Sequence, residues 1–432
     1  MNEICFEIEK IPKGWIKTSI SQISEVIMGQ SPPSTTYNQD GLGLPFFQGK
    51  SEFTSLHPIV KKWCSVPKKI ALKDDILMSV RAPVGNTNVA DRECCIGRGL
   101  AAIRYRYNYK FLYYFFRLIE NKLDEKGTGT TFRSISADVV KNVQLFLPPL
   151  KEQNRIVTKI EELFSSLDKG IESLKNAQQQ LKIYRQAVLK YAFEGKLTNK
   201  NVNRELPEGW KWFKLGDVAD KQSIKILPTK MPDAIFIGMD CIEPHSLKPS
   251  YTYKFSEFKS AGNYFMKDQV LYGRMRPYLN KVYKAEFNGA CSGEFIVLKC
   301  KEDFNPDLLK YIIHSKEFVR FANSKTSGDR PRISYDEIAD FPIAKPPIEE
   351  QNKIVKEIES RLSVCDKIEE SINQGLQQSE ALRQSILKKA FKGQLVPQDS
   401  NDPPASELLE KIKAEKEKLK NSRDLGKAQK RK

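Results

Sequence analysis

Histidine is nearly missing from this 432-residue chain: His57, His245 and His314 are its complete set, and they lie far apart. The eight cysteines include no C-x-x-C pair, and only Cys94 and Cys95 are adjacent. A zinc site needs converging Cys and His ligands, and a stapled scaffold needs an organised Cys framework. Neither is indicated, so no metal site is expected and the thiols are expected to be reduced. Long hydrophobic runs are also missing. No stretch approaches the ~20 apolar residues of a membrane span, and the N-terminus lacks the basic-then-apolar design of a signal peptide. These absences point to a soluble cytoplasmic protein without membrane attachment.

Catalytic signatures are equally scarce. No glycine-rich cofactor turn follows a strand, and no Asn/Asp-Pro-Pro-Tyr/Phe run is available to hold an amino-bearing base for methylation. Gly43 to Ser51 imitates a phosphate-binding loop but has one residue too many between its glycines and a proline, Pro45, inside it. That spacing breaks the run of backbone N–H groups that would cradle phosphates. Asp233, Glu257 and Lys259 imitate the carboxylate and lysine layout of a nuclease, but their context reads better as surface charge. The chain is expected to be non-catalytic.

What the chain has is a duplication. Residues 148–197 and 346–395 align without a gap at an offset of 198, with 24 of 50 positions identical. Each copy opens on Pro-Pro, has no interior proline and ends near a glycine, which are the signals of one long helix. In the first copy Ile160, Leu167, Leu174, Leu181 and Val188 recur every seven residues, the spacing of a coiled-coil seam. In the second, Ile358, Ile372 and Ile386 hold the seam while Cys365 and Ser379 interrupt it, and Arg185 and Arg383 fall at equivalent seam positions. A helix from Leu150 to Phe193 is ~66 Å long at 1.5 Å per residue. Its natural partner is its own duplicate.

The regions before each helix repeat as well. Both open on Pro-x-Gly-Trp, Asp75 to Pro83 resembles Gln269 to Pro277, and Ile135-Ser136 matches Ile333-Ser334. The spacing predicts helices over 110–123 and 306–321, with strands near 76–80, 100–103, 270–272 and 295–298. The chain therefore divides into a globular domain over 1–147, a long helix over 148–198, a second globular domain over 199–345, a second long helix over 346–398 and a charged tail over 399–432. In the tail, 406–419 is expected to form an exposed helix and 427–432 to be disordered. The fold class is α/β (α+β), with two similar globular domains separated by an antiparallel helix pair.

Net charge is +17 overall, with +6 on residues 1–147 and +5 on 199–345. Basic surfaces that also carry Asn, Gln and aromatic residues suit nucleic acid. Arg can pair with guanine, Asn with adenine, and hydroxyl residues can hold phosphates. The candidates in the first region are Lys50, Ser51, Arg81, Asn86, Asn88, Arg98, Thr128, Thr130 and Arg133. Those in the second are Arg274, Arg276, Asn280, Lys281, Ser327, Arg330 and Arg332. Similar cores with different loops suit the reading of two unlike DNA half-sites. The competing reading is a coiled-coil scaffold that assembles proteins without sequence-specific DNA binding, and a third is a nuclease or methyltransferase with an unrecognised site.

The layout resembles the specificity subunits of type I restriction–modification systems. The resemblance rests on the openings Ile11 to Trp15 and Leu206 to Trp210, the stretch Ser79-Val80-Arg81-Ala82-Pro83-Val84-Gly85-Asn86, and the two Pro-Pro-x-x-Glu-Gln helices closing on Ala-Phe-x-Gly. The second region departs from it, with Gly273-Arg274-Met275-Arg276-Pro277-Tyr278 in place of the fuller Pro-Val-Gly-Asn run. The resemblance implies two target recognition domains that read a bipartite double-stranded DNA target. It also implies two methyltransferase subunits and restriction/translocase subunits as partners. S-adenosylmethionine, ATP and Mg2+ would then belong to those partners, with no cofactor on this chain.

Overall fold

The computed structural model describes residues 4, 8, 10–129, 133–199 and 206–429, the last eight as backbone only. The chain forms two compact units, residues 1–172 with 376–432 and residues 173–375. Each unit therefore contains one globular domain, part of one long helix and part of the other.

In the first unit, a four-stranded antiparallel sheet runs in the order Glu25–Met28, Leu100–Arg104, Ile76–Ser79, Thr87–Val89. Beside it, a five-stranded sheet places Leu44–Phe47 parallel to Cys94–Ile96. The central strands are buried on both faces, as the unbroken Ile-Leu-Met and Leu-Ala-Ala-Ile runs require. The second unit repeats this plan. Its four-stranded sheet orders Ala219–Gln222, Phe295–Cys300, Val270–Gly273, Val282–Lys284, and Ile235–Ile237 lies parallel to Gly289–Cys291 in the five-stranded sheet.

Two expected helices are each divided. The span 110–123 becomes Tyr109–Leu118 and Glu120–Glu125, broken at Ile119. The span 306–321 becomes Pro306–His314 and Lys316–Ser324. Ser315 causes the second break, because its side chain accepts a hydrogen bond from Phe318 N and starts a new helix.

The long helices run Leu150–Phe193 and Ile348–Phe391. In the first unit Ile156, Val157, Ile160 and Phe164 share a core with Ile386, Leu387, Ala390 and Phe391, so the start of one helix meets the end of the other. In the second, Val188, Leu189 and Ala192 share a core with Ile354, Val355 and Ile358. Both pairings are antiparallel. Leu181 is buried while Leu167 and Leu174 are half-buried; Cys365, Ile372 and Ser379 are buried with the rest of their seam, so the two interruptions stay packed. The seam arginines find carboxylates on the facing helix: Arg185 meets Asp366 at 2.6 Å and Glu369 at 2.9 Å, and Arg383 pairs with Asp168.

The repeated Glu-Gln-Asn at each helix start fastens helix to domain. Gln153 donates to Pro148 O and accepts from Tyr105, and Asn154 accepts from Asn108; Gln351 donates to Pro346 O and accepts from Asn305 N, and Asn352 accepts from the Asn305 side chain. Helix ends are fastened too. Gly195 (φ 72°) lies against Pro207 and Gly393 (φ 70°) against Pro12, and a Cβ would come within 2.4 and 2.5 Å of the respective rings. Glycine is thus needed twice, for the left-handed turn and for the close approach.

The tail differs from the expected exposed helix. Ala405–Gln429 is helical, and Ala405, Leu408, Leu409 and Ile412 are buried in the first unit's core. Lys416 donates to the carbonyls of Ser21, Gln22 and Ser24 at 2.7–3.0 Å. The apolar side chains on one face of the tail give it a surface to bury, and this overrides its high charge. The expected disorder of 427–432 does not hold for 427–429, which continue the helix; 430–432 lie outside the described residues.

Candidate nucleic-acid interface

In the first domain, the strand Ile76–Ser79 runs out into residues 80–86, which three neighbours brace. Val80 N donates to Gly99 O at 2.9 Å, Ala82 N to Arg133 O at 2.9 Å, and Ile135 N to Val80 O at 3.0 Å. Arg81 and Thr128 each form a bridge with Ser134. The turn at 97–99 packs in turn on Gln48, where a Cβ on Gly99 would come within 2.3 Å of the Gln48 carbonyl. The short turn Lys50–Glu52 follows directly. Lys50, Ser51, Arg81, Arg98, Thr128 and Arg133 are thereby gathered at one end of the sheet, all exposed. Arg133 leans on Asp124 at 3.5 Å, and Ser51 donates to Glu52 at 2.6 Å. Thr130 lies outside the described residues.

One candidate is corrected and a second is partly engaged within the domain. Asn88 is fully buried: it donates to Thr54 O at 2.9 Å and accepts from Thr54 N at 3.3 Å, so it holds a loop and has no face for a base. Asn86 is half-buried and donates to Glu120. Burial holds the Glu120 carboxyl above its usual range, against the pull of Arg117 and Lys50. The capacity of Asn to pair with adenine singles out these positions in the sequence, but the partners they meet, Glu120 and Thr54, are remote in the chain.

The second domain repeats the bracing with other side chains. Arg274 N donates to Glu294 O at 2.9 Å, Arg276 N to Pro331 O at 2.7 Å, and Ile333 N to Arg274 O at 3.0 Å, with Met275 and Arg332 bridged. Arg332 makes a two-point contact with Glu294, at 3.2 Å through Nε and 3.0 Å through Nη2. Lys281 donates to Met239 O at 2.7 Å. Ser327 and Arg330 are exposed, whereas Arg274 and Arg276 are half-buried, each with an enclosed Nε that meets no acceptor. Asn280 is corrected as Asn88 is: it is buried and donates to His314 O at 2.8 Å. Burial drives the His314 imidazole down to about 4, helped by His245 and Lys310.

Sequence reasoning passed over Glu120, His314 and Glu294, the residues that hold these loops. A signal was present: Asn86 reaches Glu120 and Asn280 reaches His314 across the same separation of 34 residues.

Among the described residues no group of His, Cys, Asp or Glu is placed to hold a metal. Cys94 and Cys95 are buried, and burial pushes Cys94 up to about 12 and Cys95 up to about 11, far from a reactive thiolate. Among the described residues, no helix is long and apolar enough to cross a membrane.

A duplicated pair of α/β domains, each presenting braced and largely cationic loops and each fastened to antiparallel long helices, defines a twofold-repeated recognition protein. The chain belongs to the type I restriction modification DNA specificity domain family, whose model matches it twice, over residues 12–182 and 207–378. It is similar along 94% of its length to the type I restriction enzyme EcoDI specificity subunit of Escherichia coli, with 28% identity over 440 residues and 96% of that protein covered. The EcoKI specificity subunit of Escherichia coli strain K12 is 26% identical over 459 residues, with the same coverage. The same fold occurs in a chain solved in work on complex assembly and conformational transition of the type I R-M system, with a TM-score of 0.74 and 20% identity over 89% of this chain and 99% of that one. It also occurs in the HsdS subunit of Thermoanaerobacter tengcongensis, with a TM-score of 0.57, 20% identity, and 89% and 98% coverage.

Proposed function

We propose that this chain is the DNA specificity subunit of a type I restriction–modification complex. Each globular domain reads one half of a bipartite target, and the long helices dock two methyltransferase subunits and set the gap between half-sites. The observation that carries this reading is the pair of loop clusters braced by matching backbone hydrogen bonds but furnished with different side chains. A shared scaffold with unlike contact residues is what two unlike half-sites require. Restriction/translocase subunits complete the complex for cleavage. S-adenosylmethionine, ATP and Mg2+ are used by the partner subunits, and this chain supplies recognition.

Selection of binding sites from random duplex DNA by the full chain tests the reading. Two short conserved blocks separated by a fixed unread gap are expected. Equal retention of all sequences would contradict the proposal and favour a protein-assembly scaffold. In parallel, the purified chain incubated with DNA, Mg2+, ATP and S-adenosylmethionine is expected to leave the DNA unchanged. Modification lost in an Asp233→Ala or Glu257→Ala variant would overturn the non-catalytic assignment. Glu257 already has a local role, accepting from Lys254 N at 2.7 Å.

A further inference from the structure

The two domains differ most sharply at one position of their matched loops. Aligning Pro83 with Pro277 sets Val84 against Tyr278. Val84 is buried at 2% exposure, whereas Tyr278 is 46% exposed. At this position one loop turns its side chain into the core and the other turns it to the outside.

The second loop is held rigidly in that posture. Tyr278 sits in a short 3-10 turn, Pro277–Leu279, bounded by two left-handed residues, Arg276 (φ 52°, ψ 69°) and Asn280 (φ 46°, ψ 56°). Neither is glycine, and such conformations persist only where the surroundings over-determine them. Here they do. His245 N donates to Leu279 O at 2.8 Å, the Asn280 side chain to His314 O at 2.8 Å, and Arg276 N to Pro331 O at 2.7 Å, while Pro277 is buried. The backbone is thus fixed from three other segments, and the phenol ring is left facing outward. Arg274 and Arg276 beside it each carry an enclosed Nε without an acceptor.

An exposed aromatic ring on a fixed backbone beside two arginines suits a nucleic-acid surface, because a preorganised loop loses little freedom on binding and arginine supplies charge and hydrogen bonds. We infer that Tyr278 is a specificity-determining residue of the second domain, placing its ring against the bases of the second half-site, a contact that the buried Val84 at the matched position of the first domain does not offer. The inference rests on the proposed reading of DNA by each domain. The ring carries the contact, so the hydroxyl is dispensable.

The test measures binding of the full-length chain, wild type and with Tyr278→Ala or Tyr278→Phe, to three duplexes: the selected bipartite site and versions with the first or second half scrambled. Tyr278→Ala is expected to weaken binding to the intact site by about tenfold, the scale of one lost base-pair contact in a duplex site, and to reduce the penalty for scrambling the second half by the same factor while keeping that for the first. Tyr278→Phe is expected to behave as wild type. Unchanged affinity and preference in Tyr278→Ala would overturn the inference. So would a Tyr278→Phe defect as large as that of Tyr278→Ala, or loss of both half-site preferences together. A wild-type chain indifferent to scrambling of either half would instead defeat the underlying DNA-reading proposal.

Discussion

Arg81 stands exposed beside its braced loop, whereas Arg274 lies half-buried with an enclosed Nε that lacks an acceptor. Arg81→Ala or Arg274→Ala should weaken site-specific binding by about 1–3 kcal/mol if the guanidinium reaches a base, and should only flatten the salt dependence if it meets phosphate. Salt-dependent affinities on matched and mismatched duplexes separate the two. No change in either quantity would leave the residue a solvated charge. His314 offers a test of a different kind. Its folded value of about 4 lies below the ordinary 6.5, so the unfolded chain takes up a proton first. Its contribution to stability is therefore complete above about pH 6.5 and is lost as pH falls towards 4. Thermal melting should show the second domain weakening across that window, and His314→Gln should flatten the slope; an identical slope in both proteins would contradict this. At this scale the sequence was least informative. The residue types of the interface were legible, but Asn88 and Asn280 lost their place to burial, and burial is decided by segments remote in the chain.

The long helices were legible because a heptad is a local pattern that survives in any context offering a partner. The Glu-Gln-Asn run was visible as a repeat, yet its meaning lies in Tyr105, Asn108 and Asn305, which no local pattern connects to it. For a related reason the tail helix departs from the exposed one expected. Its charge suggested exposure, while Leu408, Leu409 and Ile412 lie on one face and complete the first unit's core. Leu409→Ala should accordingly cost about 2–4 kcal/mol, measurable as a lower melting temperature of the first domain. A melting curve unchanged from wild type would mean that the helix adds no core. Reading of the second half-site should persist in this variant.

Across the whole molecule, the proposed ruler is testable by lengthening it. Gln178 faces Asn373 across the helix pair, so four residues inserted after each would extend both helices by ~6 Å. The preferred gap should then grow by about one or two base pairs at ~3.4 Å each, with the bases read in each half unchanged. Site selection that returned the parental gap with binding intact would remove the helices from the spacing role. The duplication made this architecture readable from the sequence, because a pattern present twice marks what the fold needs and exposes what differs. The central claim is that each domain reads its own half-site, and it is tested most directly by exchanging residues 199–345 for the corresponding region of a related specificity subunit and selecting sites from random DNA. The account predicts that one conserved block changes while the other stays as it was. Both blocks changing together, or neither changing, would contradict it.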